Sequence, residues 1–243
     1  MNARVKPGRR RERLPRGERV AAIMSVAREV FCERGYAAAS TAEIAARAGV
    51  VEGTLYRYFP TKRDLLIKVV ETFYERIFAD YERQLQGVRG TWNRLRFLIW
   101  KHLSVLHGDP AMCRLIVHEL RPGPQYRQSS VFRLNRRYTE RTLAVIREGI
   151  ASGEFEDHLP LPLVRDMIFG CAEHHTWAYL RGEGPFSPDE AADALTTLVY
   201  RGLARGGQPQ AGGVDVSVQR LEQAVQRLEG LTPARRRPRR GAN

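Results

Sequence analysis

Thr54, Tyr56, Arg57, Tyr58 and Lys62 fall within nine residues of one another. Their side chains offer hydroxyls, a guanidinium and an ammonium. None is a nucleophile paired with a base, so the chemistry they suit is recognition rather than bond-making. Hydroxyls and cations at this spacing pair with phosphate oxygens, and an Arg can also reach a guanine edge.

The elements around them are readable from the sequence. A helix is predicted over Gly17–Arg34, with Val20, Ile23, Met24, Ala27, Val30 and Phe31 at three-and-four spacing, ended by Gly35. Ser40-Thr41-Ala42-Glu43 fits a capping box that opens a second helix ending near Ala48. Gly49 turns the chain, and a third helix covers Glu52–Tyr58 until Pro60. In that helix Leu55 and Phe59 are four apart and turn inward. Gly53, Thr54, Tyr56 and Arg57 are left outward. Lys62 opens a fourth helix, capped by Thr61 and Asp64 and running to about Gln86. Two short helices meeting at a glycine turn are how a chain seats a helix in the DNA major groove.

Residues 19–66 resemble the N-terminal domain of TetR-type repressors through Thr41, Ile44-Ala45, Ala48-Gly49-Val50, Gly53-Thr54-Leu55-Tyr56, Tyr58-Phe59, Lys62 and Leu65. The resemblance implies a three-helix reading head on a larger helical domain, acting as a homodimer on a palindromic double-stranded operator. It implies that Thr41, Thr54, Tyr58 and Lys62 contact phosphates, and that Ala42, Glu52, Gly53, Tyr56 and Arg57 lie nearest the bases. Two positions depart from the pattern. Val51 stands where Ser or Thr is usual, so an N-cap worth about 1 kcal/mol is lost. Glu52 puts a carboxylate at a base-facing position, where it either accepts from cytosine N4 or complements the helix dipole.

Beyond Gly87 and Gly90 further helices are predicted at 91–107, 110–120, 125–152, 161–182 and 188–205. Ser187-Pro188-Asp189-Glu190 caps the last. The fold class is all-α: a helix-turn-helix domain plus a larger helical ligand-binding and dimerisation domain. The division expected is a basic arm at 1–16, the DNA-binding domain at 17–66, the effector and dimerisation domain at 67–205, and a linker, short heptad helix and basic tail at 206–243. In that last part Val218-Gln-Arg-Leu-Glu222 recurs as Val225-Gln-Arg-Leu-Glu229.

The helices at 161–182 and 188–205 are apolar on more than one face, as helices packed on two sides are. In the family the last two core helices form a four-helix bundle with their dimer mates. The stripe assigned to that interface is Val164, Ile168, Cys171, His175 and Tyr179, with Leu195 and Leu198 from the following helix. The pocket is expected among the aromatics Phe73, Phe78, Phe97, Trp100, Phe169 and Trp177, with the interspersed Lys101, His102, His118, Glu119 and Glu173 as polar anchors. Residues 141–182, through Ile146-Arg-Glu-Gly-Ile-Ala-Ser-Gly-Glu-Phe155 and Arg165-Asp-Met-Ile-Phe-Gly-Cys-Ala-Glu-His174, resemble acyl-CoA-responsive TetR regulators of fatty-acid metabolism. That resemblance implies an acyl chain in the pocket and CoA phosphates on Arg or Lys at its mouth. A drug or aromatic acid is the alternative effector.

Composition bounds the rest. The chain has 243 residues, 43% of them hydrophobic, and a net charge of +13. Residues 1–20 hold eight Arg or Lys against two Glu, and residues 231–243 hold five Arg, so the body between is nearly neutral. The basic arm either enters an adjacent minor groove or adds salt-dependent affinity. Cys32, Cys113 and Cys171 have no CxxC spacing and read as reduced cytoplasmic thiols. No apolar run approaches the roughly 20 residues of a bilayer span, and no signal peptide is expected. HExxH, Walker, GxGxxG and GxSxG motifs are missing, so no enzyme, cofactor or metal is expected. His174 and His175 point about 100° apart on a helix and do not share one ion. A non-specific architectural DNA protein is the rival from another class.

Overall fold

The computed structural model describes residues 15–206. The heptad repeat, the C-terminal Arg cluster and nearly all of the predicted basic arm lie outside the described residues. Ten α-helices form among the described residues, with no named strand. A single bridge joins Phe155 and Ala204.

Helix α1 spans Arg16–Ala38 and is broken at Gly35, whose φ of 74° only glycine adopts without strain. Helices α2 (Thr41–Arg47) and α3 (Glu52–Tyr58) flank Gly49, at φ 68°. Ile23, Ala27, Val30 and Phe31 of α1 meet Ile44 and Leu55 in a fully buried knot. That burial is the reason two seven-residue helices, too short to persist alone, hold their shape. The expected capping box at Ser40 does not form, because Ser40 makes no side-chain cap. Glu43 pairs instead with Arg47 at 2.5 Å and with Arg34 at 3.6 Å. The capping box at Thr61 and Asp64 does form, and both of its limbs are present.

Helix α4 (Lys62–Leu85) serves both halves of the chain. Leu65 and Leu66 close the knot beneath α1, while Tyr74, Ile77, Phe78 and Tyr81 pack into the larger half. Apolar packing is therefore continuous through residue 66. The remaining helices are α5 (Thr91–Gly108), α6 (Pro110–Arg114), α7 (Ser130–Ala151), α8 (Leu161–His175), α9 (Trp177–Leu180) and α10 (Pro188–Leu203). Helix α10 lies along α5, and α7 packs on α4 and α5.

Three of the predicted helices are subdivided. The 110–120 segment widens into a π-helical turn at Leu115–Leu120. The 125–152 segment is a 3-10 turn at Tyr126–Gln128 followed by α7, whose first turn is capped by Ser129 through the Phe132 N–H. The 161–182 segment breaks at Thr176, whose hydroxyl donates back to the carbonyls of Ala172 and Glu173. No helix among the described residues is long and apolar enough to cross a membrane.

Candidate nucleic-acid interface and ligand cavity

The third helix presents Gly53, Tyr56 and Arg57 to the outside, with Ala42 of α2 exposed beside them. Thr41, Glu52, Thr54 and Tyr58 are half-buried on the same side. A side-chain network ties α2 to α3. The Thr41 hydroxyl donates to Glu52 at 2.6 Å, and the Tyr56 hydroxyl lies 3.0 Å from Thr41 Oγ1. Thr41 has spent its one proton on Glu52, so Tyr56 donates. Glu52 is thus held by its own protein, and α3 begins at the uncapped, exposed Val51. A Cβ on Gly53 would meet nothing within 4 Å, so no contact among the described residues requires glycine there. The bare backbone leaves room for close approach from outside.

The Arg57 guanidinium stands 5.5 Å from the Tyr58 ring and Arg16 stands 5.8 Å from it, so cations bracket that phenol. Lys62 is placed otherwise than the sequence suggests. Its ammonium turns inward and donates to the carbonyls of Tyr36 (2.7 Å), Ala37 (3.2 Å) and Ala39 (3.0 Å), over the Tyr36 ring. These are the carbonyls that Gly35 releases at the end of α1. A cation is their natural partner.

A cavity of about 520 Å³ opens between α4, α5, α7 and α8. Phe73, Ile77, Val105, Leu106, Ile116 and Phe169 line its apolar part. Arg127 and Arg136 are exposed at its lining, and Arg165 is half-buried there against Asp166. Arg121, from the end of the π turn, forms an ion pair with Glu173 of α8 across the lining. Burial opposes the Arg121 charge, but Glu173 more than offsets it, and the pKa moves up. His102 is buried in the wall, and burial, aided by the Arg121 charge, pushes its pKa down to about 3. Cys113 also lines the cavity, and burial pushes its thiol up to about 12, away from thiolate chemistry.

Of the expected pocket residues, the cavity lining holds Phe73, His102, Phe169 and Glu173. The others lie elsewhere. Phe97 and Trp100 face another side of α5, with their rings 6.0 Å apart and Phe97 6.3 Å from Tyr81. His118 is exposed and Glu119 half-buried outside the lining, while Trp177 is half exposed at the start of α9. Residues that the sequence reading did not choose as lining include Tyr138, Asn135 and Arg121. The weak signal for Tyr138 and Asn135 was the apolar face of α7, which contributes Val131, Tyr138 and Val145 to the core.

The stripe assigned to the dimer also divides. Val164 and Ile168 are only 5% and 2% exposed and pack into the protomer's own core. Tyr179 stacks on His107 at 5.0 Å and donates to its carbonyl at 2.7 Å. Cys171, His175 and Leu198 are exposed, and Leu195 is half-buried. The exposed large apolar side chains of α8 to α10 are Leu163, Met167, Trp177 and Leu198. Leu163 and Met167 lie one residue before Val164 and Ile168, on the neighbouring face of α8. Among the described residues, Glu156, Asp157 and His158 bring ligand atoms within 4.8 Å, but they are consecutive, largely exposed and form no enclosed cage.

Comparison with known proteins agrees with this layout. Residues 23–69 match the model for bacterial regulatory proteins of the tetR family. Residues 89–203 match that for the tetracyclin repressor-like C-terminal domain. The fatty acid metabolism regulator protein of Bacillus subtilis is 27% identical over 181 residues, spanning 74% of this chain and 93% of its own. The transcriptional repressor KstR2 of Mycobacterium tuberculosis is 24% identical over 189 residues, 76% of this chain and 92% of its own. Among solved structures, FadR of Bacillus subtilis in complex with stearoyl-CoA superposes with a TM-score of 0.67 at 28% identity, covering 75% of this chain and 98% of that one. This chain belongs to the tetR family of bacterial regulatory proteins: it is a ligand-responsive, dimeric, DNA-binding transcriptional regulator.

Proposed function

We propose that this regulator is a cytoplasmic repressor that a fatty acyl-CoA releases from its operator. The cavity carries the reading: an apolar interior built on Phe73, Ile77, Val105 and Phe169 is edged by Arg127, Arg136 and Arg165. Such a site takes an alkyl chain inside and phosphates at the mouth. The relative crystallised with stearoyl-CoA supports the same chemistry. A drug or aromatic acid would use the apolar part but engage the three arginines less fully than the phosphates of CoA.

In this reading Thr41, Thr54 and Tyr58 hold phosphates, and Ala42, Glu52, Gly53, Tyr56 and Arg57 approach the bases. For Glu52 to read a base, the Thr41 bond must open first. Leu163, Met167, Trp177 and Leu198 form the centre of the dimer face, flanked by Cys171, His175 and Leu195. Residues 17–66 act as the reading domain and 67–205 as the effector and dimerisation domain. The chain performs no catalysis.

Release follows from linkage: the ligand prefers the state whose reading heads are wrongly spaced. A physical path exists. Helix α1 packs on α6 and on the π turn, and Arg28 of α1 pairs with Asp109 at the start of α6. The π turn ends at Arg121, which pairs with Glu173 in the cavity lining. A chain that wedges Arg121 from Glu173 shifts the platform under α1. Half-sites one helical turn apart, about 34–36 Å, tolerate little such movement.

The test is operator binding at physiological salt with stearoyl-CoA, stearate or CoA added. Release by stearoyl-CoA alone is expected. Selective operator binding indifferent to all three would discard the effector and retain the regulator.

A further inference from the structure

A chain of three buried polar groups ends at the cavity. The Tyr81 hydroxyl donates to the Tyr138 hydroxyl at 3.0 Å. The Tyr138 hydroxyl lies 2.9 Å from His102 Nδ1. All three side chains are buried. Each phenol has one proton to give. Tyr81 gives its proton to Tyr138, and the network is fully paired when Tyr138 gives its own to a bare Nδ1. The ring is neutral, because burial holds its pKa far below the ordinary range. Its one proton therefore sits on Nε2. Edge contact with Phe169, ring centres 4.9 Å apart, keeps the imidazole from turning freely.

His102 lines the cavity, and its Nε2 is buried with no acceptor among the described residues. The Nε atom of Arg121, another lining residue, is a second buried donor in the same position. A buried donor left unsatisfied is costly. An alkyl chain packed against His102 offers Nε2–H no acceptor.

We propose that the cavity selects an acyl ligand that presents an oxygen acceptor to His102 Nε2–H, making His102 a specificity-determining residue fixed in its tautomer by Tyr81 and Tyr138. This rests on the acyl-CoA reading and narrows it. Two oxygens meet the requirement: the thioester carbonyl, or a keto or hydroxyl oxygen further along the chain. A plain methylene at that depth does not.

The test uses the purified full chain and calorimetric titration with three ligands: stearoyl-CoA, its stearyl thioether, which lacks the carbonyl, and an in-chain keto analogue. Each is measured against the wild type, His102→Leu and Tyr138→Phe. In the wild type one pair is expected to differ about tenfold in Kd, the hydrogen-bond worth of one acceptor. A deficit for the thioether identifies the thioester carbonyl as the acceptor, and a gain for the keto chain identifies an in-chain oxygen. Because ratios within one variant are compared, general weakening cancels. In His102→Leu the ratio should collapse to within about twofold. Tyr138→Phe, which keeps the imidazole but frees its tautomer, should also lower the ratio, and it carries the test if His102→Leu does not fold. Equal affinities in the wild type, or an unchanged ratio in Tyr138→Phe and in a folded His102→Leu, would overturn the proposal while leaving an acyl-CoA effector in place. Failure of the wild type to bind any of the three would overturn the acyl-CoA reading and this proposal with it.

Discussion

The ammonium of Lys62 donates to the carbonyl of Tyr36 at 2.7 Å, so the first residue of α4 caps the end of α1. Gly35 has just turned the chain out of the helix there, and two more carbonyls, of Ala37 and Ala39, converge on the same nitrogen. Lys62→Met should therefore lower the thermal stability of the protein as well as its operator affinity. Charge-assisted bonds of this kind are worth about 1–3 kcal/mol. Arg57→Ala is the control. Arg57 is exposed, so its loss should weaken operator binding about tenfold without shifting the melting curve. Calorimetry beside fluorescence anisotropy separates the two. An unshifted melting curve for Lys62→Met would mean that the three carbonyls do not depend on it.

Two stripes of α8 predict opposite behaviour. Met167→Glu with Leu198→Glu should give a folded monomer in sedimentation equilibrium, because both side chains stand exposed among the described residues, at 58% and 71%. Ile168→Ala should instead leave the dimer and cost about 2–4 kcal/mol of stability, as deletion of a buried side chain does. A dimer unaffected by the paired glutamates would move the interface elsewhere.

Gly149→Ala should destabilise the larger half by about 1–3 kcal/mol. The Phe155 ring, fully buried, occupies the space that a Cβ on Gly149 would need. The Gly149 carbonyl also accepts from the N–H groups of Glu154 and Phe155, at 2.9 and 3.0 Å, and folds the turn back onto α7. The segment from Ile146 to Phe155 is thus a packing device rather than part of the cavity lining. Thermal melting of the variant checks this. A melting temperature equal to wild type would show that ring and helix separate at no cost.

Acid should find His102. Its folded pKa is about 3, while an unfolded imidazole titrates near 6.5. Above pH 6.5 neither state carries the proton and the ring contributes no pH dependence. Below that, the unfolded chain binds a proton that the folded chain refuses, so stability falls as pH falls, until the folded ring titrates too near pH 3. Between about pH 6.5 and 4.5 the wild type should lose roughly 2–3 kcal/mol more than His102→Leu. Parallel melting-temperature profiles for the two proteins would mean that the folded ring protonates freely.

Much of the reading head was legible in the sequence because its determinants are local. Gly35, Gly49 and Pro60 punctuate it, Ile44, Leu55 and Phe59 recur at helical spacing, and Thr61 with Asp64 writes a cap that the structure contains. The all-helical class and the family follow from the same signals. Tertiary structure decided which of two apolar stripes on α8 turns inward. Val164 and Leu163 are both aliphatic, and periodicity alone does not say which one α5 and α10 will cover. It also decided the cavity. Phe97, Trp100 and Trp177 have the composition of a pocket as much as Phe169 and His102 do, but it is Phe169 and His102 that share one with Arg121 and Tyr138, because α5, the π turn, α7 and α8 converge across long separations in sequence. The inward turn of Lys62 was hidden for the same reason. Its partners are carbonyls, which carry no sequence identity, and they reach it only once α1 and α4 have packed.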